Sequence, residues 1–372
     1  MRVLYLTMNP NRASTTVPTE GWFRVLRARG LEPVLASNEI GSFHEWAVSE
    51  GIPAFHVRMP VPSEFSLRTL VPALWHLRRL VKRHRIQVIH CNEQDLYAVG
   101  QYLGKVCRVP VVVSVHFTMD RGFCEWAFRG ARNPTRIFFV SAGSLQACRP
   151  GIEGVIPEAK WRVLPNGLDL EHFVPDPVRG AAFRHDHDFV SGLAIGVACA
   201  LRPRKQLEHL FEAAAQLECP GLRVVVAGSA VAGDEAYARN LLQVGRDLLG
   251  ERLVVLGHLN ELRGFYNALD VFVNTSQEEA CSISVLESLA CGCPVLGYAS
   301  KSVDGQILPD GGEIVEQDNV GALAEALNRW LSDSQTLRGR RSGARRMAED
   351  SFDIRKLSTD LWDEYERVLA ES

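Results

Sequence analysis

Short, continuous apolar runs alternate with longer amphipathic stretches along this chain. Residues 3–6, 33–36, 88–90, 111–115 and 137–140 are such runs, rich in β-branched side chains. A run that is continuous rather than alternating marks a strand buried on both faces. Between the runs, as in residues 67–84, apolar residues recur at helical spacing. The pattern then restarts with runs at 195–198, 223–227, 253–256, 271–274 and 294–296. Strand, helix, strand, repeated, predicts a parallel sheet wrapped by helices. Two sets predict an α/β chain of two Rossmann-like domains, at residues 1–175 and 190–350. Residues 173–192 hold Pro175, Pro177, Gly180 and a polar run at 184–188, and read as the linker. A last helix over residues 352–372 carries Phe352, Leu357, Leu361, Trp362 and Tyr365 at roughly helical spacing. It must bury that stripe, and crossing back to the first domain would do so. Doubly wound domains place ligands at the C-terminal ends of their strands.

Composition narrows the function classes. The chain has 372 residues, 46% hydrophobic and 23% charged, the balance of a globular protein of two ordinary domains. A formal net charge of −3 gives no reason to expect nucleic acid as a partner. The nine cysteines include no CxxC pair with metal-ligand spacing, which suggests reduced thiols and a cytoplasmic setting. The apolar run at the start is too short for a signal peptide, and no run is long enough to span a membrane.

The segment Glu278-Glu279-Ala280-Cys281-Ser282-Ile283-Ser284-Val285-Leu286-Glu287 is the most informative. A small, polar entry at Cys281-Ser282 leads into a helix whose free N–H groups and positive dipole end suit a diphosphate. Glu279, just ahead of that helix, is placed to reach a sugar on the diphosphate. Glu287, two turns on, is placed to accept from ribose hydroxyls. The alternative is a solvated Glu and a helix-face Glu with no ligand.

The strand Val271-Phe272-Val273-Asn274, Ser276, the two glutamates and the stretch Glu287-Ser288-Leu289-Ala290-Cys291-Gly292-Cys293-Pro294-Val295-Leu296 together resemble retaining glycosyltransferases of family 4. So do Val163-Leu164-Pro165-Asn166-Gly167-Leu168-Asp169 with Phe173 and Pro175, and Gly311-Gly312-Glu313-Ile314-Val315. The resemblance implies the GT-B fold, two Rossmann-like domains facing across a cleft, with an acceptor domain first and a donor domain second. It implies transfer of a hexosyl group from a UDP or GDP sugar to a glycan, lipid-linked or small-molecule acceptor, with retention, no cofactor and no metal. A sugar-nucleotide epimerase, a phosphorylase and a non-catalytic nucleotide-sugar-binding protein are alternatives on the same architecture.

Residue by residue, the resemblance assigns Glu279 to the donor sugar, Lys205 to the leaving diphosphate and His116 to the reacting face. Cys281, Ser282, Ile283 and Glu287 fall to the donor, and Ser229 and Leu259 complete that set. Ala200 stands where the family carries an Arg, so Arg202, with Arg204 in reserve, is expected to turn inward beside Lys205, because fixed cations lower the barrier to a leaving diphosphate. The first loop reads Ala13-Ser14-Thr15-Thr16 where the family has a Gly pair. Ser14, Thr15 and Thr16 are then the donor-side residues there, with less backbone freedom than Gly.

The polar segment Cys91-Asn92-Glu93-Gln94-Asp95, following the strand at 88–90, is expected to face the cleft, with Glu93 and Gln94 as the candidate acceptor wall. His185-Asp186-His187-Asp188 contains a DxD, but it lies in the linker and reads as a solvated turn. The basic amphipathic segment at 67–85, with Trp75, Arg78, Arg79, Lys82 and Arg83, reads as a crossover helix with a solvated basic face. Peripheral contact with the inner face of a membrane is its other reading.

Overall fold

The computed structural model describes residues 1–12, 15–279, 281–300, 306–307 and 309–371, and divides them into two units. The first comprises Met1–Gly167 and Ile354–Ser372, the second Leu168–Asp353.

In the first unit seven parallel strands form one sheet: β1 (Arg2–Thr7), β2 (Glu32–Ser37), β3 (Ala54–His56), β4 (Val88–Cys91), β5 (Val111–Val115), β6 (Arg136–Phe139) and β7 (Trp161–Val163). Their order is β3-β2-β1-β4-β5-β6-β7. The central strands are buried along their length, and the two sheet faces carry separate apolar cores. One core collects Leu4, Leu6, Ile89, Val113 and Phe139 beneath flanking helices, and the other Val3, Tyr5, Val88, Val112 and Phe138. The helix Ile354–Ala370 belongs to the second of these, burying Ile354, Leu361, Tyr365 and Val368. Two close approaches seat its start, because a Cβ on Gly21 or Gly167 would meet Ile354 at 3.0 or 2.5 Å.

That helix also brings polar groups into the core. The Tyr365 hydroxyl lies 2.7 Å from that of Tyr5 and 2.5 Å from His90 Nδ1, while His90 Nε2 meets Ser114 Oγ at 2.8 Å. Burial lowers the His90 pKa to about 3, so its imidazole is neutral. Buried polar groups are tolerable only when satisfied in this way.

In the second unit six parallel strands, β8 (Ala194–Ala198), β9 (Arg223–Ala227), β10 (Leu253–Gly257), β11 (Val271–Asn274), β12 (Val295–Tyr298) and β13 (Gly312–Val315), are ordered β10-β9-β8-β11-β12-β13. The stretch read as a linker is different from that reading. Pro177–Asp186 is a helix, capped by Asp176, whose carboxylate accepts from Arg179 N at 2.9 Å, with Pro177 in its first turn. It packs on the helix Arg263–Ala268: a Cβ on Gly180 would meet Asn267 O at 2.3 Å, and Arg184 bonds to Ala268 O and Asp270. His185 and Asp186 end this helix with exposed side chains. Among the described residues no group of three or more His, Cys, Asp or Glu is placed to hold a metal ion. All nine cysteines are free thiols.

Candidate functional site

Strand order locates the ligand crevice in each unit. In the second sheet the chain runs outward from β8 through β9 to β10, then returns to the other side of β8 at β11. The crevice of such a sheet opens at the C-terminal ends of the two strands where the order reverses. The loop after β8 carries Lys205, and the loop after β11 carries Glu279. Hydrogen bonds stitch the two loops together: Gln277 N to Arg204 O at 2.9 Å, and Thr275 Oγ1 to Lys205 O at 2.8 Å. Lys205 and Glu279 form a direct ion pair, their side chains 12% and 11% exposed. Ser276 Oγ donates to the same carboxylate at 3.0 Å.

The expected inward turn of Arg202 is not what the loop does. Its Nε points to Asp234 Oδ2 at 3.2 Å, in the loop that follows β9. Arg204 instead donates to the Glu278 carbonyl at 3.3 Å, beside Glu279. An acidic partner within reach fixes the direction of a long, flexible cation, and the neighbour Arg202 has is Asp234.

The helix Ile283–Ala290 begins at this crevice. Its first-turn N–H groups have no partner within the helix, but the Ser282 N–H is taken by Gln306 Oε1 at 2.9 Å. Gln306 also donates to Cys281 Sγ at 2.8 Å, and Ser282 Oγ lies 3.2 Å from Ser284 Oγ. Ile283 is half-buried at the start of the helix. One full turn further on, Glu287 Oε2 accepts from Tyr266 OH at 2.7 Å. Burial pushes the Glu287 pKa up to about 7, against the Tyr266 hydrogen bond, which pulls it down. Ser229 and Leu259 sit just beyond β9 and β10. The Ser229 carbonyl accepts from Leu201 N at 2.9 Å, and Gly228 N donates to Gly257 O at 2.7 Å, so these loops share the same sheet end. Gly228, at φ +145, lies so close to Cys199 O that a Cβ would stand 1.8 Å from it.

The first sheet reverses between β1 and β4, and the expected residues of this unit gather there and at β5. Glu93 does not present its carboxylate as an acceptor wall. One oxygen accepts from Thr7 Oγ1 and Asn92 Nδ2 at 2.9 and 3.1 Å, the other from Met8 N at 2.9 Å. Burial raises its pKa, and these donors oppose the rise. Gln94 is likewise turned inward, accepting from His116 N at 3.2 Å. Both bind loops to one another, because a buried carboxylate or amide must be satisfied from within. Thr15 O accepts from Asn92 Nδ2 at 3.0 Å, and Thr16 Oγ1 donates to Asn11 O at 2.8 Å at the start of the helix Val17–Ala28. Ser14 lies outside the described residues.

His116 is 6% exposed at the end of β5, and its Nε2 is buried without a hydrogen-bond partner. Burial lowers its pKa to about 4, so the ring is neutral at physiological pH. A buried polar atom without a partner at a strand's C-terminal end makes His116 a candidate ligand contact. Tyr266 and Gln306 escaped sequence reasoning, whereas Asn92 lay within the polar segment at 91–95 that was expected to face a ligand.

Two doubly wound units, one with a lysine, a carboxylate and a helix N-terminus at its switch point, are the arrangement that the resemblance to the GT-B glycosyltransferases implies. Comparison with known proteins makes this specific. Residues 22–172 match the family described as Glycosyltransferase Family 4, and residues 193–347 match Glycosyl transferases group 1. The chain belongs to the family 4 glycosyltransferases and is a transferase of GT-B fold. It is 27% identical over 211 residues to a GDP-mannose-dependent phosphatidylinositol monomannoside mannosyltransferase of Mycolicibacterium smegmatis, a match spanning about half of each protein (54%). It is 24% identical over 315 residues to an Escherichia coli UDP-Gal:alpha-D-GlcNAc-diphosphoundecaprenol alpha-1,3-galactosyltransferase, covering 79% of this chain and 78% of that one. In fold it is similar to Anabaena HepE, solved in complex with UDP, at TM-score 0.88 and 20% identity over 99% of this chain and 100% of that one. No described helix is long and apolar enough to cross a membrane.

Proposed function

We propose that this protein transfers a sugar, with retention and without a metal, from a nucleoside-diphosphate sugar bound in the second unit. The observation that carries the reading is the fixed Lys205–Glu279 pair at the β8–β11 reversal, beside the helix beginning at Ile283. Lys205 supplies the charge that a departing diphosphate needs, Arg204 adds to it, and the first turn of the helix supplies further donors. Glu279 accepts from hydroxyls of the donor sugar, and Glu287 from those of the ribose. In the front-face scheme the departing phosphate itself takes the acceptor proton, so no dedicated base is required. In the first unit, His116, neutral and with a buried Nε2 that no other group engages, is the candidate ligand contact at the C-terminal end of β5. The test is incubation with a panel of UDP and GDP sugars in EDTA. Release of nucleoside diphosphate and an anomeric configuration equal to the donor's, read by NMR, are expected; a strict Mn²⁺ or Mg²⁺ requirement would overturn the metal-free part.

The Glu287 pKa gives this reading a pH signature. Ribose hydroxyls donate more strongly to the ionised carboxylate than to the protonated one, so binding favours its deprotonation and draws the pKa down. Affinity for the nucleotide sugar should therefore weaken as pH falls below about 7 by up to roughly tenfold per unit. A nucleotide sugar is the right probe because its doubly esterified diphosphate does not titrate in that range. Glu287→Gln should flatten the slope, and a slope that persists in that variant would assign the titration elsewhere.

The acceptor, we infer, is presented at an anionic membrane surface. On the helix Leu67–Arg83, Leu67, Val71 and Trp75 recur every fourth residue and are all more than half exposed. Arg79 stacks over Trp75 at 4.6 Å, and Arg78, Lys82 and Arg83 extend the basic face. An apolar stripe bordered by cations suits the headgroup layer. The named activities of the mycobacterial and E. coli relatives also involve lipid-linked sugars. Sedimentation with vesicles containing phosphatidylglycerol, and not with phosphatidylcholine alone, is expected, and Trp75→Ala with Arg79→Ala should abolish it. Equal behaviour toward both vesicles would reject the idea.

A further inference from the structure

The Lys205–Glu279 pair has a second consequence, which rests on the donor reading above. Neither member is a solvated surface charge: both side chains are nearly nine-tenths covered. Nor is the contact a chance meeting of long arms, since Thr275, Gln277 and Ser276 fix the two loops against each other. The cation meant for the diphosphate is thus paired with the carboxylate meant for the sugar. We propose that Glu279 acts as an internal substitute for the diphosphate, so that the site selects the nucleotide sugar over the free nucleoside diphosphate.

The physical argument is an exchange of partners. A ligand that takes Lys205 leaves Glu279 a covered carboxylate held by Ser276, and a covered charge that loses its partner is costly. A nucleotide sugar repays that loss, because the hydroxyls of its sugar donate to the vacated carboxylate. A free nucleoside diphosphate has no such donors. It also carries additional negative charge on its terminal phosphate, which faces Glu279 as a like charge. Once the sugar has been transferred, Glu279 regains Lys205 and the spent nucleotide is expelled. The pair therefore couples completion of transfer to product release.

Calorimetry in EDTA tests this with UDP, GDP and the corresponding sugars, on the wild type, Glu279→Gln, Lys205→Met and the double variant. The wild type should bind the nucleotide sugar more tightly than its free nucleoside diphosphate. Glu279→Gln should bind the free nucleoside diphosphate roughly tenfold more tightly than the wild type does, because Lys205 is released from a competing anion. The gain should vanish in the Lys205→Met background. Thermal melts without ligand establish that each variant is folded, and the wild-type preference stands as a separate arm if Glu279→Gln does not fold. Unchanged or weaker nucleotide binding by folded Glu279→Gln overturns the inference, as does a gain that survives Lys205→Met or a wild type that prefers the free nucleotide. Each of these outcomes leaves the donor reading in place. A wild type that binds neither ligand instead removes that reading, and the inference with it.

Discussion

Lys205→Met is expected to slow sugar transfer by about two to three orders of magnitude, the loss typical when a preorganised group is removed from developing negative charge. Negative charge accumulates on the diphosphate as its bond to the sugar breaks, and Lys205 is the cation fixed beside Glu279 at the β8–β11 reversal. Methionine keeps much of the side-chain volume and removes the charge. The two nearby arginines should differ. Arg204, whose guanidinium reaches the Glu278 carbonyl, should cost roughly tenfold on replacement by alanine, the effect of one charge-assisted contact. Arg202 is held by Asp234, and its replacement should change the rate by less than about twofold, as expected for a half-exposed ion pair. Initial rates of nucleoside diphosphate release would read all three. A large loss from Arg202→Ala would show that this side chain leaves Asp234 for the ligand.

The second large effect concerns stability. Glu364, on the C-terminal helix, receives hydrogen bonds from Arg136 at 3.0 Å and Arg162 at 3.1 Å, and also pairs with Arg367. Glu364 and Arg136 are both under a tenth exposed. Removing one partner of a buried pair leaves the other charge stranded, so Glu364→Ala should destabilise the first unit by about 3 kcal/mol. Glu371 also pairs with Arg136 and offsets part of the loss. Chemical denaturation should show an earlier midpoint. Burial alone would raise the Glu364 pKa, but the Arg162, Arg367 and Arg136 guanidiniums outweigh it and hold the carboxyl below the ordinary range. For a group whose pKa is depressed by folding, the stabilisation is present above its unfolded pKa and is lost as pH falls through the folded one. The gap between wild type and Glu364→Ala should accordingly close in acid. A gap that is constant down to low pH would mean that the carboxylate contributes packing rather than charge.

The strands at 3–6, 111–115 and 271–274 were legible because a strand buried on both faces must be apolar throughout, and sequence displays that directly. β3, β7 and β13 were not resolved as strands, because these edge strands are only partly buried and so show no continuous apolar run. Pro177 and Gly180 read as breakers, yet proline is at home in a first helical turn and the glycine answers a close approach to Asn267. At the site, the Glu279 region was visible because its residues are consecutive. The direction of Arg202 was not, since it depends on Asp234, 32 residues along the chain. The same is true of Glu287, whose partner Tyr266 lies 21 positions earlier. The inward turn of Glu93 also follows from distant donors, Thr7 and Met8 on the far side of the sheet's reversal. Sequence pattern reports what is buried; it does not report which buried groups meet.

Hydrogen exchange read by mass spectrometry, with and without the nucleotide sugar that raises the melting temperature most, tests most directly where the donor binds. Ligand should slow exchange in peptides covering residues 199–206 and 275–287, the loops after β8 and β11 and the start of the following helix, and Lys205→Met should weaken that protection. Protection confined to the first unit, or undiminished in Lys205→Met, would contradict the placement of the donor at this reversal.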